Sequence, residues 1–264
     1  MALTRVLLVD NGSLVPAATL ALRRLAQEVG HLIGQPVHPV SVLHSHKISP
    51  EVLDGKPAQI FAEAVTQAQA DQMQQLLVLP LFFGPSLALT EFLPEVFAAH
   101  AGPGMQLKIA DPLYDASGDL KSMFIDQLRA SGWRRGETQV LLCDHGSPQP
   151  SVTAVRDTLA AEIRQALQLS PQELIACSME RRPEATYDFN EPLLATALTK
   201  VSGDVIILMQ FLLPGRHAGA QGDVAQIATQ HASAQTHWRL SPLLGQHPKL
   251  PELLAKRYAK ACKH

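Results

Sequence analysis

Leu141-Leu142-Cys143-Asp144-His145-Gly146-Ser147 repeats the pattern of Leu7-Leu8-Val9-Asp10-Asn11-Gly12-Ser13, with residue 145 lying 134 positions after residue 11. Both stretches are an apolar run closed by Asp-x-Gly-Ser, and each is followed by a proline, Pro16 or Pro148, before a helical pattern. Two further matches occur in the same order. Leu81-Phe82-Phe83 resembles Phe211-Leu212-Leu213, and Asp111-Pro112-Leu113 resembles Ser241-Pro242-Leu243, each displaced by 130 positions. Three matches in one order indicate an internal duplication rather than chance.

Outward from these stretches, short apolar runs alternate with amphipathic segments. The runs are Val6–Val9, Val37–Leu43, Gln75–Phe83 and Leu107–Ile109, then Val140–Cys143, Leu174–Cys177, Val205–Leu213 and His237–Leu240. Short runs, apolar throughout and bounded by polar residues or Gly and Pro, are strands buried on both faces. Between them Leu22, Leu25 and Val29, and later Val152, Val155, Leu159, Ile163 and Ala166, step by three or four along one helix face. The expected fold class is α/β: two duplicated halves, each a four-stranded parallel sheet flanked by helices, with strand order 2-1-3-4. The expected domains are 1–133 and 134–264, with a boundary near Arg129–Thr138 and a linker at 131–136.

Composition narrows the function classes. The chain has 264 residues, 46% hydrophobic and 17% charged, enough for a substantial core without staples. Twenty-two Lys and Arg against 24 Asp and Glu give a formal charge of -2, which does not favour nucleic acid as a partner. The cysteines Cys143, Cys177 and Cys262 are odd in number and never CxxC, which excludes a zinc ribbon and suits a reducing compartment. The run Val6–Val9 is too short for a signal peptide or a membrane span, so a cytoplasmic protein is expected, monomeric or homodimeric.

Ligands of open parallel sheets bind at the carboxyl ends of the strands. In the second half those ends carry His145, Glu180 and His217. With the expected strand order, three neighbouring strands about 4.8 Å apart place these side chains within roughly 10 Å of one another. Two imidazoles and a carboxylate suit divalent Fe, Co, Ni or Zn better than Mg or Ca. Singly each has an ordinary alternative: a capping or surface histidine, a solvated Glu180 beside two arginines, a tight turn at Gly146-Ser147. In the first half Asn11 stands where His145 stands, Ser86 where His217 stands, and His46 where Glu180 stands. His44 and His46 share a face of an extended strand, either a second metal site or a solvated strand end. His237 and His247 are expected to be structural. Ser147 beside His145 raises a hydrolase reading, although the motif is not G-x-S-x-G. No Walker loop or GxGxxG is present, so no nucleotide is expected.

The strand followed by His145-Gly146-Ser147, the loop Gly215-Arg216-His217-Ala218-Gly219 with Gly222-Asp223 soon after, and Pro242-Leu243-Leu244-Gly245 resemble the class II tetrapyrrole chelatases, most of all the sirohydrochlorin chelatases in their two-repeat form. The resemblance spans nearly the whole chain and implies a chelatase-like fold. Members bind the macrocycle between two α/β halves and insert a divalent metal without ATP. It implies that His145 and His217 hold the metal, Co²⁺ or Fe²⁺ and less readily Ni²⁺, with Glu180 assisting as a catalytic and metal-binding group. Substrate contacts are expected at Ser147, Arg181, Arg182, Arg216, Asn11, Ser13 and Ser86, the arginines gripping the carboxylates of the tetrapyrrole. The chain departs from many members in having Pro148-Gln149 after His-Gly-Ser, where they have Arg-Asp. That departure and the degenerate first half leave a second reading, a non-catalytic tetrapyrrole or metal carrier.

Overall fold

All eight apolar runs form strands in the computed structural model, which describes residues 3–263. One parallel sheet contains β1 (Thr4–Asp10), β2 (Val37–Ser41), β3 (Gln75–Pro80) and β4 (Gln106–Ile109) in the order β2-β1-β3-β4. The other contains β5 (Thr138–Asp144), β6 (Leu174–Ser178), β7 (Gly203–Met209) and β8 (Thr236–Leu240) in the order β6-β5-β7-β8. Both have the expected order. The central strands are covered on both faces, so Val6–Val9 and Val140–Cys143 are buried without alternation. The edge strands β4 and β8 are only half-buried, and polar residues accordingly interrupt them.

The helices are α1 (Pro16–Ile33), α2 (Phe61–Ala70), α3 (Leu93–His100), α4 (Asp119–Ala130), α5 (Pro150–Leu167), α6 (Leu194–Leu198), α7 (Asp223–His231) and α8 (Leu250–Lys263). Proline in the first turn starts both α1 and α5, where its missing N–H costs no hydrogen bond. The stripe on α1 is buried as expected at Leu22, Leu25 and Val29. On α5 it is buried at Val155, Leu159 and Ile163, whereas Ala166 is exposed and Arg156 is buried.

Two compact units result, and they differ from the repeats by the exchange of two helices, α4 and α8. The first comprises residues 3–114 and 248–263, the second 115–247. α8 packs on α1 and β3 in the first unit, where Arg257 donates to the carbonyls of Pro112 and Leu113 at 2.9 and 2.7 Å. α4 packs on α5 and β7 in the second, where Gln127 donates to the Pro242 carbonyl at 3.1 Å. The segment 131–136 therefore joins α4 to β5 inside one unit and does not link the two; Arg239 on β8 donates to the Ser131 carbonyl at 2.7 Å.

Strand pairing also corrects the alignment of the repeats. Val9 corresponds to Cys143, and their carbonyls accept from Leu81 and Gln210 respectively, so Leu81 matches Gln210 and not Phe211. Likewise Ala110 and Ser241 make equivalent bonds, to Val78 and Ile207, so Asp111 matches Pro242 and not Ser241. Both later sequence matches are one place out of register, while the first stands.

Candidate metal-handling site

Three loops at the carboxyl ends of β5, β6 and β7 carry His145, Glu180 and His217. The first two loops continue the parallel pairing beyond the strands: Met179 N–H donates to the Asp144 carbonyl at 2.7 Å, and Glu180 N–H to that of His145 at 3.2 Å. Gly146 makes this approach possible. Its φ is +92°, and a Cβ there would lie 1.9 Å from the Glu180 carbonyl oxygen. In the third loop Gly222 has the same role, since a Cβ would lie 2.7 Å from the His217 carbonyl oxygen.

The structure brings the three expected residues together in pairs. The rings of His145 and His217 meet edge to face with centroids 4.7 Å apart. His145 Nε2 lies 3.5 Å from Glu180 Oε1. His145 Nδ1 is 3.0 Å from the Gly146 carbonyl oxygen. A carbonyl only accepts, so this contact places a proton on Nδ1. His217 Nδ1 is 2.7 Å from Asp223 Oδ2, a carboxylate in the first turn of α7. In both rings Nδ1 is the engaged nitrogen. Among the described residues, no three His, Cys, Asp or Glu side chains are gathered tightly enough to hold a metal ion.

Beneath the His145 loop lies a buried polar network. Asp144 Oδ1 accepts from the Ser178 hydroxyl at 2.5 Å and from Gly146 N–H at 3.1 Å, with Arg156 Nη1 at 3.8 Å. Burial pushes the Asp144 carboxyl above its usual range, opposed by the Ser178 bond and by Arg156. Arg156, 1% exposed, also donates to Ser178 and to the Asn190 carbonyl. Asn190 grips Ser147 from both sides, accepting from its N–H at 3.0 Å and donating to its carbonyl at 2.9 Å. The Ser147 hydroxyl accepts from Gln149 N–H at 3.0 Å, which makes it a turn-forming group.

The expected arginines separate. Arg181 is engaged within its own loop, by Glu191 at 2.8 Å, Asp188 at 3.0 Å and nearby carbonyls. Arg182 lies over the Tyr187 ring and donates to its hydroxyl at 3.0 Å. Arg216 is 81% exposed, with Asp223 Oδ2 3.4 Å away.

The first repeat has the same strand ends without the same chemistry. Asn11 is exposed at the position of His145, and the Ser13 hydroxyl accepts from Val15 N–H as Ser147 accepts from Gln149. Ser86 does not occupy the place of His217: Phe83 and Leu212 accept equivalent bonds, from Tyr114 and Gly245, which puts Ser86 opposite Gly215; its hydroxyl is buried without a partner. His46 does not occupy the place of Glu180. Val42 N–H bonds to Asp10 as Met179 bonds to Asp144, and Gly12 abuts the Leu43 carbonyl as Gly146 abuts that of Glu180, so the counterpart is Leu43. Nor do His44 and His46 share a strand face, because β2 ends at Ser41, His44 has φ +72° and His46 sits in a 3₁₀ turn. His247 is nearly buried with Asp126 3.6 Å away, a structural setting as expected, and His237 is exposed on β8.

Asp223, Arg156 and Asn190 were not found as functional residues from sequence. Asp223 had a local signal, an acid opening a helix six residues after a strand-end histidine. Arg156 and Asn190 had none, since their contacts come from distant chain segments.

Known proteins supply the context for this arrangement. The CbiX family model matches residues 139–261. No curated protein matches the sequence. Among solved structures, SirB from Bacillus subtilis with Fe³⁺ superposes with a TM-score of 0.73 at 15% identity, covering 98% of this chain and 95% of that one. CbiX, described as the terminal enzyme for siroheme biosynthesis in denitrifying bacteria, gives 0.67 at 18% identity, with 98% of both chains covered. DR2241 from Deinococcus radiodurans, a multi-domain protein similar to chelatases, gives 0.60 at 17% identity, with 98% of this chain and 55% of that chain covered. These likenesses establish the duplicated chelatase-like fold across the chain, and residues 139–261, which bear both imidazoles, Glu180 and Asp223, are similar to the CbiX family.

Proposed function

We propose that the protein is a sirohydrochlorin-type chelatase that inserts Co²⁺ or Fe²⁺, and less readily Ni²⁺, into the metal-free macrocycle. The observation carrying this reading is the contact of His145 and His217, 4.7 Å between ring centroids with Glu180 3.5 Å from His145, in the CbiX-matching part of the chain. The named relatives agree with it: one is a SirB holding Fe³⁺ and another a terminal enzyme of siroheme synthesis.

Insertion exchanges two pyrrole protons for one divalent ion. The ion must be held loosely enough to be handed on, and the protons need acceptors nearby. Nε2 of His217 and of His145 ligate the substrate metal. An imidazole, with an ordinary pKa near 6.5, also accepts a proton at neutral pH. Glu180 assists as a further ligand and takes up the proton from His145. Arg182 and Arg216 face the substrate's carboxylates, while Arg181 holds the loop that presents Glu180. Mixing the protein with metal-free sirohydrochlorin and each metal, and following absorbance, tests the reading. Insertion faster than the uncatalysed reaction is expected, and its absence with every metal sinks the proposal.

The open arrangement of the three side chains also favours a second reading, a tetrapyrrole or metal carrier. A carrier binds without accelerating insertion. Turnover that disappears in His145→Ala excludes it.

A further inference from the structure

We propose that Asp223 is a positioning residue that fixes the tautomer of His217 and makes it the firmer of the two metal-holding imidazoles. The inference rests on the reading above and assigns a role to a residue that acts through His217. The two imidazoles differ in what stands behind them. His145 Nδ1 faces a neutral carbonyl at 3.0 Å, whereas His217 Nδ1 faces a carboxylate at 2.7 Å. A carboxylate behind an imidazole holds the proton on Nδ1, orients the ring and raises the basicity of Nε2.

The surrounding backbone is arranged for this contact. Asp223 N–H donates to the Arg216 carbonyl at 3.2 Å, and Val224 N–H to that of His217 at 3.3 Å. The start of α7 is thereby tied to the histidine loop, and Gly222 admits that approach. Arg216 Nε lies 3.4 Å from the same Oδ2. The first repeat lacks the device: its corresponding stretch, residues 81–92, contains no histidine.

The test uses the full-length protein and two readouts. The first is long-range ¹H–¹⁵N NMR of the histidine rings without metal, with His217 assigned by His217→Gln. His217 is expected as the Nδ1–H tautomer in the parent protein. In Asp223→Asn and Asp223→Ala it shifts to a mixture or to Nε2–H. The second readout is Co²⁺ binding by calorimetry, where Asp223→Ala is expected to weaken affinity about 10–100-fold and Asp223→Glu to recover part of it. Asp223→Asn preserves side-chain shape, so it decides the matter if the alanine variant melts early. An unchanged tautomer in Asp223→Asn, or parent-like Co²⁺ affinity in a folded Asp223→Ala, overturns the proposal. Equal Co²⁺ affinity in the parent and His217→Gln would instead defeat the metal-handling reading, while the tautomer still judges Asp223.

Discussion

At the scale of single residues, the repeats diverge most where a side chain meets solvent or charge. His145 against Asn11, Glu180 against Leu43, and His217 against a loop without histidine place every candidate ligand in the second unit. His145→Ala and His217→Ala are each expected to weaken metal binding and remove most insertion activity. Asn11→Ala and Ser86→Ala should cost little beyond a modest rise in KM. Steady-state kinetics with purified variants checks this, and activity lost with Asn11→Ala but kept with His145→Ala would reverse the assignment.

A second residue-scale contrast concerns buried charge. Asp144 has Arg156 behind it, and the equivalent Asp10 has Leu22, because α1 and α5 begin at matching prolines. Asp10 Oδ1 has no partner, and burial lifts its pKa to about 6, against the opposing bonds from Ser41 and Gly12. The folded state therefore keeps this proton longer than the unfolded chain, whose carboxyl titrates near 3.8. Its contribution is fully present below pH about 4 and is lost as pH rises to about 6. The stability of the parent relative to Asp10→Asn should fall by about 3 kcal/mol across that window. Denaturant melts from pH 4 to 7 measure it, and a constant difference between the two proteins refutes it.

At the scale of elements, sequence was informative wherever burial is two-sided and local. The runs Val6–Val9 and Val140–Cys143 needed no tertiary knowledge to be read as central strands. Their ends were set less well: Val205–Leu213 continues past β7, which stops at Met209, because apolar loop residues prolong the pattern. The candidate ligands were legible because strand order alone brings three successive carboxyl ends together. Asn190 and Arg156 were not, since a polar residue buried through contacts 34 and 43 positions away leaves no local pattern. Arg156→Leu is expected to destabilise the protein by about 3–5 kcal/mol, the usual cost of stranding one member of a buried ion pair. Thermal and urea melts check it. A loss under 1 kcal/mol would show that Arg156 does not hold this corner of the fold.

For the whole molecule, repeat boundaries in sequence and unit boundaries in space differ. α4 covers β7 with Leu120, Met123, Phe124 and Leu128 among its buried residues, although it precedes the second repeat. α8 buries Leu250, Leu253 and Leu254 in the first unit, although it ends the second repeat. A fragment of residues 115–247 should accordingly melt cooperatively with dispersed NMR signals. The fragment 134–264, cut at the repeat boundary, should not, because it lacks α4 and leaves the apolar face of α8 uncovered. Cooperative melting of the second fragment and not the first would show that the exchange is dispensable.

The exchange also orders events on the ribosome. Synthesis runs at about 5–20 residues per second, and upstream domains ordinarily fold first. Here residues 3–114 emerge early yet wait for α8, while 115–247 are complete before it is made. The later unit is thus the first to have all its residues synthesised. The nascent first sheet remains without its α8 cover through the translation of residues 115–247, an interval in which the surface that α8 buries stays open to solvent.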